Sequence, residues 1–345
     1  MSSYPELALE QITLPGAPAI PGLTFRLFRN QSDYAAIAET TNRYYTAQHI
    51  EEVLTADEVA NFCQHIPRFD PYRDVLLAEM HGQPIGSIRA WVRPLDDGTW
   101  LYTTVGCLQP DQWRKGIGRA MLRWGEDRLR AIAVDYPGDA AHSAARFFTA
   151  FAKDDELGRR AMLRNAGYEP VRYFYEMVRP NLDALPEAPL PAGLEVRPVG
   201  PEQYRAVFAA LNEAFRDHWG HTEMTTEEDY QRFINDPDVQ PELWQVAWEG
   251  DQVAGMILNF ISEEHNTKFN RRRGWPDPIC VRRPWRKRGL AKALIVRSLH
   301  LLKAKGMTEA ALGVDTENLS GALRLYESVG FRPASRSANY RKPLK

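Results

Sequence analysis

Five cations and a glycine stand together in Val281-Arg-Arg-Pro-Trp-Arg-Lys-Arg-Gly-Leu-Ala291, immediately before an apolar pattern at helical spacing. A strand, a basic turn and a helix start in that order aim several backbone N–H groups at one spot. The helix dipole adds partial positive charge there, which makes an anion site. The N–H groups of Lys287, Arg288, Gly289, Leu290 and Ala291 would surround the anion, and Arg286 and Arg288 would add charge. Gly289 has no Cβ, so a phosphate can approach its backbone closely. Alone, such a turn is equally a plain connection with a solvated basic face.

Its surroundings lift it. Downstream stands Asn318-Leu-Ser-Gly-Ala-Leu-Arg-Leu-Tyr326-Glu-Ser-Val-Gly330-Phe331. The spacing Arg286-x-x-Gly289-x-Ala291, with this asparagine, tyrosine and Gly-Phe after it, resembles the cofactor signature of the GCN5-related N-acetyltransferases. The resemblance implies that the turn holds the pyrophosphate of acetyl-coenzyme A. It also implies that Asn318 lies near the pantetheine arm and that Tyr326 protonates the departing thiolate. The strand Asp277-Pro-Ile-Cys-Val281 would lend the backbone of Ile279, Cys280 and Val281 to the cofactor, one N–H near Val281 serving the thioester carbonyl. A primary amine would attack the thioester directly, with no covalent enzyme intermediate and no metal.

The general base stays open between several residues. Asp277 stands where many members of the family place a carboxylate, and burial would raise its pKa toward the working range. Glu263 and Glu264, at the end of the preceding strand, and His218 or His221 in Asp217-His-Trp-Gly-His221 are alternatives. Capping or surface solvation is the ordinary role of each. Arg271-Arg-Arg273 reads as a solvated loop that could steer an anionic acceptor.

The elements that must position these residues are written twice. Gly22-Leu-Thr-Phe-Arg26 and Gly193-Leu-Glu-Val-Arg197 open the halves 171 residues apart, Gly116 and Gly289 lie 173 apart, and Gly167-Tyr168 and Gly330-Phe331 lie 163 apart. The order expected in each half is strand, two helices, hairpin, a fourth strand into the glycine turn and a long helix, a fifth strand, a helix, and a closing strand pair. Thr55-Ala-Asp-Glu58 is a capping box for a helix, and the pairs His81-Gly82 and Gly250-Asp251 are hairpin turns. In the second half the fifth strand is read at 310–314 and the following helix from about 318 to 329. The fold class is α/β: two tandem acyl-CoA N-acyltransferase domains, each a mixed, mostly antiparallel sheet flanked by helices. The boundaries read as an extended surface leader over 1–21, a degenerate domain over 22–180, a proline-rich linker over 181–193 and a catalytic domain over 194–345.

The first half looks worn. It keeps Trp113-Arg-Lys-Gly116-Ile-Gly118, so Arg114, Lys115, Gly116, Ile117 and Gly118 could still bind coenzyme A, but Trp113 fills the signature arginine's place. Leu163 stands where the second half has Tyr326, Asp155 where it has Asn318, and Thr104 where it has Asp277. Catalysis is expected only from the second half. The layout is similar to that of mycothiol synthase, a tandem member of the same family. Aminoglycosides, polyamines, amino acids and protein N-termini also stay open as acceptors, as does a non-catalytic acyl-CoA sensor.

With 345 residues, 44% hydrophobic and 26% charged, the chain reads as a cytoplasmic globular protein of two domains, either a monomer forming an internal pseudo-dimer or a homodimer. A net charge of -2 gives no field for nucleic acid, and no apolar run is long enough to cross a membrane. The three cysteines, Cys63, Cys107 and Cys280, have no CxxC spacing, so buried thiols are expected rather than a disulfide or zinc framework.

Overall fold

A computed structural model describes residues 11–135, 145–317 and 321–344. The chain divides into two compact units, one of residues 1–171 with 339–345 and one of residues 172–338.

The first unit holds β1 (Leu23–Leu27), α1 (Ser32–Ala47), α2 (Ala56–His65), α3 (Pro71–Asp74), β2 (Val75–Met80), β3 (Gln83–Pro94), β4 (Trp100–Leu108), α4 (Ile117–Asp135), β5 (Arg146–Lys153), α5 (Leu157–Asn165) and the start of β6 (Glu169–Arg179). Strands β1 to β4 form an antiparallel meander, and β5 joins β4 in parallel. His81 and Gly82 both take positive φ (50° and 78°), the geometry that matches the twist of a two-residue hairpin. Val75-Leu-Leu-Ala78 is continuously apolar because both faces of the sheet are covered. Leu76 and Ala78 pack with Ile117, Ala120 and Met121 of α4, whereas Val75 and Leu77 pack with Ile37 of α1 and Val59 of α2. The Thr55–Glu58 capping box forms as expected at the start of α2.

The second unit contains the rest of β6, β7 (Glu195–Val196), α6 (Tyr204–Phe215), α7 (Glu227–Ile234), β8 (Gln245–Glu249), β9 (Gln252–Ile257), α8 (Glu263–Phe269), β10 (Arg273–Gly274), β11 (Ile279–Val281), α9 (Leu290–Ala304), β12 (Glu309–Asp315), α10 (Ala322–Ser328) and most of β13 (Arg332–Pro343). Strands β7, β8, β9 and β11 are antiparallel neighbours. Strand β12 pairs in parallel with β10 and antiparallel with β6. Helix α9 buries Leu290, Leu294, Ile295, Leu299 and Leu302, as the apolar pattern at helical spacing requires. The mixed, mostly antiparallel α/β class is therefore observed.

Four expectations change. The fourth strand of the second half is not continuous. A shift of 173 residues carries β4 onto 273–281, but only β10 and β11 form there, because Pro276 and Pro278 carry no N–H for a ladder. Each half closes on one long strand rather than a pair, since neither 169–179 nor 332–343 contains a turn signal. The proline-rich segment is not the boundary between the units. Residues 172–179 of β6 belong to the second unit, where 174–179 pair with β12, while residues 339–344 belong to the first, where Leu344 N donates to Arg146 O at 2.9 Å and Lys342 Nζ to Glu126 at 2.9 and 3.0 Å.

Finally, residues 11–21 are not a surface leader. Gln11 bridges Arg26, Ile12 N donates to Phe25 O at 2.8 Å, and Leu14 is only 4% exposed in the core beneath α4. Leu14→Ala should therefore lower the stability of the first unit by about 2–4 kcal/mol, read as a shift in its urea midpoint. An unchanged midpoint would return this segment to the surface.

Candidate active site

The glycine turn of the second unit folds as an open anion cradle. Lys287 (φ 61°) and Gly289 (φ 84°) both take the left-handed conformation, which turns the chain sharply from the strand side into α9. None of the N–H groups of Lys287 through Lys292 finds an acceptor among the described residues; the first bond of the helix is Ala293 N to Gly289 O at 3.1 Å. Nothing stands within 4 Å of where a Cβ on Gly289 would lie. Lys287, Arg288 and Gly289 are exposed.

The arginines of the turn are more committed than their number suggests. Arg286 donates through Nε to Val281 O at 3.0 Å, through Nη2 to Ala214 O at 3.2 Å and through Nη1 to Asp217 at 2.6 Å. Arg283 also grips Asp217, and hydrogen bonds from Arg283 and then Arg286 hold that carboxyl well below the ordinary range. Arg282 pairs with Glu213 at 2.7 Å. Arg288 reaches Glu249 only at 3.7 Å, and Lys287 has no ionic partner among the described residues. Arg286 thus fixes the turn to β11 and to the end of α6, while Lys287 and Arg288 hold the charge that faces outward.

Strand β11 offers a free edge. Leu258 N donates to Pro278 O at 3.2 Å and Arg282 N to Ala254 O at 3.0 Å, so residues 278, 280 and 282 turn their polar backbone toward β9. In an antiparallel ladder the intervening residues point the other way. The N–H groups of Ile279 and Val281 and the C=O of Ile279 therefore face away from β9, and β12 does not pair with them. Ile279 and Val281 pack against the core under α9 with Leu290, whereas Cys280 lies on the opposite side against α6. Burial pushes the Cys280 thiol up to about 12.

Asp277 and Tyr326 meet at this gap. Asp277 lies in the break between β10 and β11, and Gly313 N of β12 donates to its Oδ2 at 3.4 Å. Protein crowds the carboxyl although part of it stays exposed, and desolvation raises its pKa to about 6 against the one lowering contact from Gly313. Tyr326, on α10, is 7% exposed beside Phe331. Burial first, then the charges of Asp277 and Cys280, hold its phenol well above the ordinary value, so it keeps its proton. Its hydroxyl makes no hydrogen bond among the described residues.

The other proposed residues disperse. Glu263 and Glu264 are exposed in the first turn of α8, a helix capped by Ser262 accepting from His265 N at 3.2 Å, rather than at a strand end. No contact among the described residues joins either to Asp277 or Tyr326. His218 is part-buried, its ring tilted against Phe215 (4.2 Å between ring centres); burial lowers its pKa, with Asp315 at the end of β12 opposing. Arg273 is no loop residue. It is 4% exposed in β10, ion-paired with Glu309 at 2.8 Å and Glu176 at 3.3 Å. Asn318 lies outside the described residues.

In the first unit, Arg114 (φ 60°) and Gly116 (φ 88°) repeat the left-handed pair, with Ile117 buried and Gly118 part-buried behind them, and Arg114 and Lys115 exposed. Trp113 repeats the clamp that Arg286 makes: its Nε1 donates to Leu108 O at 2.7 Å, and the shift of 173 carries Leu108 onto Val281. Sequence alone treats Trp113 as wear, yet an indole N–H supplies the same donor. The same shift places Cys107 on Cys280, a coincidence the sequence displays. Thr104 and Leu163 are buried (5% and 2% exposed), so the first unit has no ionisable group at either place.

Comparison with known proteins shows the family and the fold. The model of the acetyltransferase (GNAT) family matches residues 34–149 and again 204–331. The chain is similar to mycothiol acetyltransferase of Thermomonospora curvata, 30% identical over 263 residues covering 74% of this chain and 78% of that one. It is also similar to mycothiol acetyltransferase of Salinispora arenicola, 28% identical over 317 residues covering 85% and 93%. In fold it matches a GCN5-related N-acetyltransferase from Sphaerobacter thermophilus (TM-score 0.69, 24% identity, 96% and 98% covered). It likewise matches a tandem GNAT protein from the clavulanic acid biosynthesis pathway (TM-score 0.65, 16% identity, 94% and 99% covered).

The raised Asp277 carboxyl has a cost that can be measured. Because its pKa when folded is about 6 against an ordinary 3.8, the folded state binds this proton more tightly. The resulting stabilisation is full below about pH 4 and is lost as pH rises through 6. Asp277→Asn should therefore raise the melting temperature at pH 7.5 by an amount equivalent to on the order of 1–2 kcal/mol, discounted for the exposed side of the group, and leave it unchanged near pH 4. A variant less stable than the parent at pH 7.5 would contradict this.

Proposed function

The chain belongs to the acetyltransferase (GNAT) family, and on that premise we propose that its second unit transfers an acetyl group from acetyl-coenzyme A to a primary amine. One observation carries this reading: an open cradle of unpaired amides at 287–292 leads into the first turn of α9, whose packing against β11 sets it beside a free strand edge and the Asp277–Tyr326 pair. The diphosphate takes the N–H groups of 287 to 292, with Lys287 and Arg288 adding charge. The pantetheine amides add to the free edge of β11 at Ile279 and Val281, as an extended peptide adds to a sheet. The N–H of Val281 polarises the thioester carbonyl.

Asp277 takes a proton from the incoming ammonium, directly or through water, and a pKa near 6 leaves it ionised yet basic at neutral pH. The amine lone pair then forms the C–N bond as the C–S bond breaks, Tyr326 gives its proton to the leaving thiolate, and the second proton shed by the new amide nitrogen returns to the Tyr326 oxygen. Among the open acceptors we propose a small-molecule amine. The relatives named mycothiol acetyltransferase make the amine acceptor of mycothiol acetylation the first to assay.

Transfer is read as thiol release from acetyl-coenzyme A with a panel of amines. Tyr326→Phe should lower kcat by about 10²-fold while calorimetric affinity for coenzyme A changes little. Equal loss of both would remove the tyrosine from the acid role. In the parent, kcat/KM should fall as pH drops below about 6, where Asp277 is protonated, and this limb should vanish in Asp277→Asn. A limb that persists would assign the base elsewhere.

A further inference from the structure

The two units treat the edge beside the glycine turn in opposite ways. In the first unit β5 pairs with β4 only from Trp100↔Arg146 to Thr103↔Thr149, and beyond that β4 and β5 run on unpaired with each other. Gln109 N donates to Ile85 O at 2.8 Å, so by the same ladder parity Gly106 turns its carbonyl toward β5, as Ile279 turns its own away from β9. That carbonyl is taken. Arg159 Nη2 donates to Gly106 O, and Nη1 donates to Phe151 O of β5 at 3.3 Å. One guanidinium thereby spans the divergence of the two strands.

Arg159 is held in that position. Its Nε lies 3.4 Å from Glu156, its guanidinium sits 5.1 Å over the Tyr44 ring, and Tyr44 donates to Glu156. Glu156 is 2% exposed and also accepts from Lys153 N at 2.6 Å. The shift of 163 residues that carries Gly167 onto Gly330 carries Arg159 onto Ala322 and Glu156 onto Leu319. At these positions the second half has neither the plug nor the carboxylate that fixes it. A separate observation concerns the turn itself: Pro18 lies 3.9 Å from where a Cβ on Gly116 would stand, while the corresponding space at Gly289 is open.

We propose that Arg159 decides which half takes the acyl-CoA: its guanidinium fills the first unit's strand gap, and Ala322 leaves the second unit's gap open. The chain therefore binds one nucleotide thioester, not two. This inference rests on the reading that the pantetheine arm adds to the Ile279 edge. A part-buried guanidinium that donates to two backbone carbonyls beside a buried carboxylate is held in place, and an arriving amide would have to displace it and leave Glu156 without its ionic partner.

The test is calorimetry of the full chain with coenzyme A, paired with hydrogen exchange of its backbone amides. One equivalent should bind, protecting amides within 279–292 and leaving 106–119 unchanged. Ala322→Arg should weaken that binding at least 30-fold. Hydrogen exchange on the parent answers the question even where the variant does not fold. Two equivalents, or protection of 106–119, would overturn the inference while leaving the proposed transfer intact. Absence of any heat would overturn both.

Discussion

Everything at the candidate site follows from a ladder that two prolines interrupt. Pro276 and Pro278 cannot donate, so the stretch corresponding to β4 splits into β10, which pairs with β12, and β11, which pairs with β9. The split leaves the polar backbone of Ile279 and the Val281 N–H unmatched, and unmatched backbone groups next to a core are costly unless something fills them. It also puts Asp277 between two strands, crowded by protein on one side and answered by a single N–H from Gly313. One break in hydrogen bonding thus makes both the edge that can receive an extended arm and the carboxyl poised near neutrality.

The turn that follows is held by arginines that do not face the ligand side. Arg286 ties the turn to Val281 and Ala214, and Asp217 takes both Arg286 and Arg283. Without that carboxylate two of the five cations within seven residues would lose their ionic partner. With it, three are neutralised or hydrogen-bonded by α6 and its continuation, which leaves the exposed charge at Lys287 and Arg288 beside the unpaired amides. Division of labour among like side chains, rather than their sum, sets the electrostatics of the cradle.

The first unit shows what the same plan becomes without the break. Its β4 is continuous, the clamp on the strand carbonyl passes from a guanidinium to the Trp113 indole, and the gap toward β5 closes on Arg159. Duplicated backbone geometry has therefore survived where the side-chain chemistry has diverged. The left-handed pairs at Arg114/Gly116 and Lys287/Gly289 agree within a few degrees although no ionisable residue is shared between the Thr104 and Asp277 positions.

Much of this was legible in the sequence because it is local. Glycine at positive φ, apolar period, capping boxes and the repeated order of elements depend on neighbours a few residues apart. They disclosed two α/β halves, the glycine turn and the hairpins. Tyr326 was legible through its spacing to Gly330. Tertiary structure alone decided the rest. Strand partners 53 to 190 residues apart placed Arg26 with Glu79 and Thr149 with Asn339, and they moved the end of the chain into the first unit. Glu263 and Glu264 were separated from Asp277 by a helix that a single serine cap begins. The roles of Arg286, Trp113 and Arg159 depend on which carbonyls the ladders leave free, and ladder parity is fixed only when strands pair.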